Sequence, residues 1–185
     1  SANRADLTDD EYFIYGGLPE VYEYIGPKRE QYLNQILDTY LQKDIKYLIR
    51  EENITAFNKL LFMLAEYQGQ IVSKSTLAND LTVSAQTVDS YLDTLEKTFT
   101  IYSLSSYSTN LSNELKKSKK YYFYDLGVRN ALLKNFRPLA SRKDLGQICE
   151  TYVLHYLLSI RNIADTDLFF WRTTKGQEVD FVWLK

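Results

Sequence analysis

The hydrophobic positions between residues 56 and 104 repeat at helical spacing in three consecutive runs. The three apolar stripes are Phe57, Leu60, Leu61 and Leu64, then Leu77, Ala78 and Leu81, then Val88, Tyr91, Leu92 and Leu95. Gly69-Gln70 separates the first two, and Ser84 is a typical N-terminal cap for the third. Two strand-like segments follow, Phe99 to Leu104 and Tyr121 to Tyr124, joined by a polar loop. This order predicts a winged helix-turn-helix over residues 56–124.

Helical patterns also lie on the N-terminal side of this unit. Thr8 and Glu11 have the spacing of a capping box, and apolar residues recur at helical spacing after Gly26-Pro27. Residues 1–55 are therefore predicted to form a helical subdomain. Residues 125–143 are predicted to be a connector, in which Arg129 could serve as an ion-pair partner as readily as a ligand.

The last segment, residues 144–185, combines a helix with two strands. The helix is predicted over Asp144 to Ile160, with Glu150 in line with Val153, Leu154 and Leu157. The strands are predicted over Leu168 to Arg172 and Gln177 to Leu184. The fold class is therefore mainly α with a small β component: a helical subdomain, a winged helix-turn-helix and an incomplete α/β unit similar to an endonuclease core.

Carboxylates are the candidate chemistry of this segment. Glu178 and Asp180 share one face of the last strand, so they could face Glu150 across a small cleft. Oxygen ligands of this kind suit Mg²⁺ or Mn²⁺, which makes Glu150 and Asp180 the candidate metal ligands. In the alternative, Glu150 bonds to Arg172 or a backbone amide, and the other two acids are solvated. A nuclease core would need one more strand with a further carboxylate and a lysine, so we expect no catalysis by this segment.

Composition excludes several function classes. The net charge is −2 and the pI about 5.5, so no global positive field draws the chain to nucleic acid or an anionic membrane. A single cysteine, with no signal-like segment and no apolar run of membrane-spanning length, favours a reducing cytoplasm. The nucleotide-binding patterns Gly-x-x-x-x-Gly-Lys and Gly-x-Gly-x-x-Gly do not occur.

Any DNA contact must therefore be local. The candidate nucleic-acid contacts are Gln86 on the third helix and the loop lysines Lys116, Lys117, Lys119 and Lys120. Asp89 and Asp93 are predicted to share the exposed face with Gln86, and both would repel phosphate. A winged helix that docks a protein, or that is purely structural, is the alternative.

Several short motifs occur in one order along the chain: Gly16-Gly17-Leu18-Pro19-Glu20, Lys43-Asp44-Ile45, Tyr122-Phe123-Tyr124-Asp125 with Arg129-Asn130, Gly146 with Glu150, and Trp171-Arg172 with Glu178-Val179-Asp180-Phe181. This order resembles the domain of unknown function at the C-terminus of prokaryotic AAA-type ATPases. The resemblance implies a terminal region similar to restriction-endonuclease-like folds, in which Glu150 and Asp180 correspond to the helix glutamate and the strand aspartate. The strand with Glu-x-Lys that follows in such folds is absent, and Lys185 falls on the opposite strand face from Asp180.

The resulting expectation is a non-catalytic C-terminal recognition fragment that contacts DNA or a partner protein for an ATPase domain. The alternatives are a nuclease-related metal-dependent domain that is active only when complete, and a regulatory or dimerisation module. We expect no cofactor in this chain: Mg²⁺ would belong to a complete site and ATP to the parent protein. The expected partners are the protein's own N-terminal ATPase domain, DNA, and a second copy bound at the C-terminal hairpin, where Trp171 and Trp183 add apolar surface to an unpaired edge.

Overall fold

A computed structural model describes residues 8–39, 54–107, 118–160, 168–173 and 175–184. The helices of these residues are α1 (Asp9–Tyr15), α2 (Pro27–Ile36), α3 (Ile54–Glu66), α4 (Lys74–Leu81), α5 (Ala85–Lys97), α6 (Leu126–Leu132) and α7 (Leu145–Ser159), with short 3-10 turns at Pro19–Glu23 and Leu139–Ser141. The strands are β1 (Ile71–Val72), β2 (Ile101–Ser106), β3 (Lys119–Phe123), β4 (Leu168–Arg172) and β5 (Glu178–Trp183). The described part of the chain is thus mainly helical with one small sheet, as predicted.

Three helices and a hairpin form the centre of the molecule. The predicted caps are present at α1 and α5, where Thr8 and Ser84 accept hydrogen bonds from the backbone of Glu11 and Thr87. All the apolar positions of the three predicted stripes are buried, from Phe57 on α3 to Leu95 on α5. The short strand β1 pairs with β3, and β3 pairs with β2, in both cases antiparallel. The strand β3 starts at Lys119, two residues before its predicted beginning.

The N-terminal helices pack on α6 through a close backbone contact. A Cβ atom on Gly127 would lie 2.0 Å from the carbonyl oxygen of Tyr15, so only glycine lets α6 approach the end of α1 this closely. The Asp125 carboxylate joins the two segments, because it caps α6 at the amide of Val128 and accepts a hydrogen bond from the amide of Gly17 at 2.7 Å. The Gly16-Gly17 motif therefore serves the packing of α1 against α6.

One sheet connects the segment predicted to be a winged helix with the C-terminal strands β4 and β5. Its strand order is β1-β3-β2-β4-β5, with β2 and β4 parallel and β4 and β5 antiparallel. The helix α7 covers this sheet, and Leu154 packs with Tyr122, Leu168 and Phe170 in a separate core cluster. The predicted winged-helix and endonuclease-like segments consequently share one sheet and the core cluster between that sheet and α7.

The helix α7 shows a different burial pattern from the one expected. Leu154 is buried as predicted, but Val153 is 45% exposed, and Ile148 and Thr151 occupy the buried side instead. Among the described helices, none is long and apolar enough to cross a membrane.

Candidate functional site

Three carboxylates from two elements converge on the ammonium group of Lys120. Glu150 lies in the middle of α7, and Glu178 and Asp180 alternate on β5. The Lys120 Nζ atom is 3.0 Å from Glu150 Oε1, 2.6 Å from Glu178 Oε1 and 2.8 Å from Asp180 Oδ1. A lysine ammonium has three N–H donors, so one donor is available for each acid. We call these four residues the Lys120 cluster.

The ammonium of the Lys120 cluster is enclosed, whereas its acids reach solvent. The side chain of Lys120 is 1% exposed, but those of Glu150, Glu178 and Asp180 are 19%, 27% and 54% exposed. Lys120 also lies over the ring of Phe170, with its Nζ atom 5.7 Å from the ring centroid. The cluster is therefore a buried cation surrounded by partly hydrated acids.

Hydrogen bonds decide the protonation state of this cluster. Burial by itself would lower the pKa of Lys120, but its hydrogen bonds to Asp180, Glu178 and Glu150 outweigh burial and raise the pKa above its ordinary value. The hydroxyl of Tyr122 donates to Glu150 Oε1 at 2.6 Å, and burial together with the Glu150 charge raises the pKa of Tyr122. At neutral pH, Lys120 is thus charged and Tyr122 is a neutral donor.

The predicted acids come together, but around a lysine. One cation faces three anions, and Arg172 adds a second cation 3.4 Å from Glu178 Oε2. The expected alternative for Glu150 is wrong, because its described partners are Lys120 and Tyr122 rather than Arg172 or a backbone amide. In the part of the chain that the structure describes, no group of three His, Cys, Asp or Glu residues is arranged to hold a metal ion. Metal ligation by Glu150 and Asp180 stays a prediction.

The predicted position of Lys120 on a solvated loop is wrong. Lys120 is the second residue of β3, and its side chain is buried, so it presents no surface to a phosphate. Sequence reasoning missed this because it began the strand at Tyr121. The alternation of side chains along a strand would have predicted its burial, since the strand face that carries Tyr122 also carries Lys120 two residues earlier.

The remaining candidate nucleic-acid contacts differ in their exposure and in their partners. Gln86 is exposed at the start of α5. Lys119 is partly buried on β3, where it donates to Ser103 Oγ at 3.0 Å and lies 3.8 Å from Glu96. Lys116 and Lys117 lie outside the described residues, as do Lys185 and the motif at residues 43–45.

The exposed face of α5 carries the predicted acids. Asp89 and Asp93 are both exposed together with Gln86 and Ser90, which confirms the predicted orientation of this helix. Lys74 pairs with Asp89, and Lys97 pairs with Asp93 at 2.7 Å. The face that would enter a DNA groove thus carries balanced ion pairs rather than a positive charge.

Arg129 and His155 have structural partners. The guanidinium of Arg129 pairs with Asp144 and donates to the carbonyl of Ala65 at 3.0 Å, so the predicted role as an ion-pair partner is confirmed. His155 Nε2 donates to the carbonyl of Phe123 at 2.9 Å, since a carbonyl can only accept. Its Nδ1 then accepts from the hydroxyl of Tyr12 at 2.9 Å. Arg129 thus links α6 to α3 and to the start of α7, and His155 links α7 to α1 and β3.

The free energy of unfolding should fall on mild acidification, because acid protonates the buried imidazole of His155. Burial lowers the pKa of His155 below its ordinary value of 6.5, even though the Phe123 carbonyl and the Asp125 charge act in the opposite direction. A group whose folded pKa is depressed contributes its stability above the unfolded pKa. That contribution is lost as the pH falls from 6.5 through the folded pKa.

We expect the free energy of unfolding, measured by urea denaturation between pH 7.5 and 5, to decrease more steeply for the wild type than for His155→Gln. The glutamine amide can still donate to the Phe123 carbonyl but does not titrate. Both proteins retain Asp125, so the difference between the two curves isolates His155. Parallel curves would show that the imidazole does not control this pH dependence.

Two family models match the chain. Domain of unknown function (DUF8612) matches residues 8–139, which contain α1 to α6 and β1 to β3. Domain of unknown function (DUF4143) matches residues 145–185, which contain α7, β4 and β5. No solved structure matches the chain. The boundary between the two matches coincides with the start of α7, the helix that contributes Glu150 to the Lys120 cluster.

The relatives come from bacteria and an archaeon, and each is described as an uncharacterised protein. A Haemophilus influenzae protein is 32% identical over 183 residues, which covers 96% of this chain and 46% of the relative. A Mycobacterium tuberculosis protein is 29% identical over 178 residues (92% and 39%), and a Methanocaldococcus jannaschii protein is 25% identical over 150 residues (80% and 31%). The chain thus spans less than half the length of these relatives. Because the first family model covers more than half of its residues, the chain belongs to the DUF8612 family.

Proposed function

We propose that this chain is a non-catalytic recognition module of a larger prokaryotic AAA-type ATPase. The order of its sequence motifs and the DUF4143 match of its last segment support this proposal. The length of the relatives also supports it, because more than half of each one lies outside the matched region. The module would hold a binding surface for the ATPase domain and would present a second surface to a partner.

The outer face of α7 is the observation that carries the proposal. This face comprises Leu145, Cys149, Tyr152, Val153, Tyr156 and Ile160, all of which are exposed. They lie within about 100° of one another around the helix axis, at 3.6 residues per turn. Glu150 is the one carboxylate of α7, which contains no lysine or arginine, and it belongs to the Lys120 cluster. A helix that is apolar on all sides belongs in a buried setting, so we assign the ATPase domain as its cover.

Alkylation of Cys149 tests this assignment directly. Cys149 is the only cysteine of the chain and is exposed on the outer face of α7. We expect iodoacetamide to modify Cys149 about tenfold more slowly in the longer protein than in the 185-residue chain, as followed by peptide mass spectrometry, since the docked domain excludes the reagent.

Matched substitutions distinguish docking from other causes of protection. In the longer protein, Tyr156→Lys with Ile160→Lys should restore the reactivity of Cys149, because two charges would enter the interface. Ile25→Lys is the control, since Ile25 is 84% exposed on a different part of the surface. Equal reactivity of Cys149 in both proteins would refute the assignment. Protection that rises with the concentration of the chain alone would instead indicate a second copy.

The arrangement of α3, β1, α4, α5 and the β2–β3 hairpin supports a winged helix, and we propose that it docks protein rather than DNA. The ion-paired aspartates on α5 and the burial of Lys120 both reduce the positive charge available to a phosphate backbone. DNA contact through Gln86 and Lys119, together with Lys116 and Lys117, stays a prediction.

The nuclease-related alternative rests on the convergence of Glu150, Glu178 and Asp180. Their oxygen atoms suit Mg²⁺ or Mn²⁺, but Lys120 already lies among them and donates to each. A divalent cation would need Lys120 to leave this position. The residues in this arrangement therefore do not fit a metal.

A further inference from the structure

A cavity of about 380 Å³ lies between the C-terminal end of α6 and the N-terminal end of α7. Its charged lining residues are Glu66, Arg129, Lys134, Arg137, Lys143 and Asp144. Four of these six carry a positive charge, although the chain as a whole has a net charge of −2. We call this space the basic cavity. It is separate from both the Lys120 cluster and the outer face of α7.

Beside the basic cavity, two buried arginines pair with one aspartate. Arg129 and Arg142 are 1% and 7% exposed, and both guanidinium groups pair with the single carboxylate of Asp144. The other partners of Arg142 are neutral, namely the carbonyl of Asn135 at 2.9 Å and the side-chain oxygen of Asn130 at 2.8 Å. Arg129 and Arg142 share Asp144, and Glu66 is the one further acid among the described lining residues, so an incoming anion would meet an excess of positive charge.

The rim of the basic cavity adds three exposed cations. Lys134, Arg137 and Lys143 are exposed, and none of them forms an ion pair with another residue in the described ranges. Lys134 follows the end of α6 with a φ of 50°, in the left-handed region that favours glycine. Lys134 therefore lines the cavity from a backbone conformation that is less favourable for lysine than for glycine.

The helix α7 contributes to the same electrostatic field. Asp144 precedes the first turn of α7 but does not cap it, because its carboxylate is bound to Arg129 and Arg142. Asp144 and Gln147 both line the cavity, so the positive end of the α7 dipole lies at its wall. The dipole adds to the excess charge of the arginines and the three rim cations.

We infer that the basic cavity is a binding site for a phosphate group, carried by a small phosphorylated ligand or by a nucleic-acid backbone. Guanidinium groups recognise phosphate oxygens through paired N–H donors, and lysines add point charges. Four of the lining residues are cations and two are acids, which leaves a net charge of +2 at the cavity. This inference does not depend on the proposed docking of α7 or on the Lys120 cluster.

Titration calorimetry with inorganic pyrophosphate tests the site. We expect wild-type protein to bind pyrophosphate and Lys134→Gly to bind it about tenfold more weakly, because one charge-assisted contact is removed. Glycine suits the left-handed conformation at this position, so the variant should fold at least as well as the wild type. Weaker binding by this variant therefore cannot be attributed to misfolding. Lys143→Gln should weaken binding in the same direction.

Two control variants test whether weaker binding comes from the loss of the Lys134 charge. They exclude the backbone change and the loss of any exposed lysine as causes. Thr82→Gly makes the same backbone change at another residue of positive φ, and Lys28→Gln removes an exposed lysine from α2. Both should bind pyrophosphate as the wild type does. Absence of pyrophosphate binding at millimolar concentration, or binding that Lys134→Gly and Lys143→Gln leave unchanged, would overturn the inference.

A competition experiment identifies the source of the phosphate. If labelled duplex DNA binds the wild type, is displaced by pyrophosphate and binds Lys134→Gly more weakly, the ligand is the nucleic-acid backbone. If DNA does not compete while pyrophosphate binding depends on Lys134, the ligand is a small phosphorylated molecule. Both outcomes support the site and differ only in what occupies it.

Discussion

Replacing Lys120 by methionine is expected to lower the free energy of unfolding by about 3 kcal/mol, because removing one partner of a buried ion pair leaves uncompensated charge. Methionine retains much of the length of lysine but has no donors, so Glu150, Glu178 and Asp180 would repel one another. We place the effect at the lower end of the usual range because these acids are partly hydrated. Urea denaturation at pH 7 measures the change as a shift of the midpoint at constant slope.

The neighbouring lysine provides a matched control for this prediction. Lys119 lies on the same strand, but its partner Glu96 is 3.8 Å away and both side chains are partly exposed. Lys119→Met should therefore change the free energy of unfolding by less than about 1 kcal/mol. Adding Glu150→Gln to Lys120→Met should recover part of the stability, since one of the three repelling charges is removed. Equal effects of Lys119→Met and Lys120→Met would show that Lys120 does not hold the cluster together.

Divalent cations should distinguish the Lys120→Met variant from the wild type. Without the ammonium, the acid oxygens that lie within 3.0 Å of Lys120 Nζ would surround an empty space into which Mn²⁺ can draw them. A ligand that binds only the folded state raises its melting temperature. We expect Mn²⁺ to raise the melting temperature of the variant and to leave that of the wild type unchanged. Stabilisation of the wild type by Mn²⁺ would instead favour the nuclease-related alternative.

Replacing Gly127 by alanine is expected to lower the free energy of unfolding by about 2–3 kcal/mol, within the range for overpacked sites. The added Cβ would lie 2.0 Å from the carbonyl oxygen and 2.5 Å from the carbonyl carbon of Tyr15. Both are backbone atoms, so no side-chain rotation can relieve the clash. The end of α1 would have to move away from α6, which would also weaken the hydrogen bond from Gly17 to Asp125. Thermal and urea unfolding measure the loss.

Gly146 is the matched control because it also lies within a helix. A Cβ atom there would meet no heavy atom within 4 Å. Gly146→Ala should therefore raise the free energy of unfolding by about 0.5–1 kcal/mol, which is the difference in helix propensity between the two residues. If Gly127→Ala were as stable as Gly146→Ala, the close contact between α1 and α6 would not contribute to the fold.

Local sequence patterns determined the helices and their ends. The apolar stripes of α3 and α5 and the caps at Thr8 and Ser84 depend on residues within one or two turns, which is the range over which periodicity and capping act. The exposed face of α5, with Asp89 and Asp93, follows from the same spacing. The convergence of Glu178 and Asp180 follows from the two-residue period of a strand.

Only the tertiary structure determined which groups surround the acids. Lys120 lies 30 residues from Glu150 and 60 residues from Asp180 in the chain, and no local pattern brings β3, α7 and β5 together. The parallel pairing of β2 with β4 achieves this, and it depends on chain segments that are far apart in the sequence. The contact between Gly127 and Tyr15 has the same origin.

The periodicity of α7 shows the limit of sequence reasoning most clearly. Because this helix is apolar on nearly all sides, the sequence placed Val153 on the packed side with Leu154 and Leu157, and that assignment is wrong for Val153. The folded chain buries Leu154 and Thr151 and leaves Val153 and Tyr156 exposed. Sequence alone thus determined the elements and their amphipathic positions, which are local properties. The tertiary structure decided the ion pairs and the basic cavity, because both bring together residues that are distant in the chain. It also decided which face of α7 stays exposed, because strands distant in the chain cover the other face.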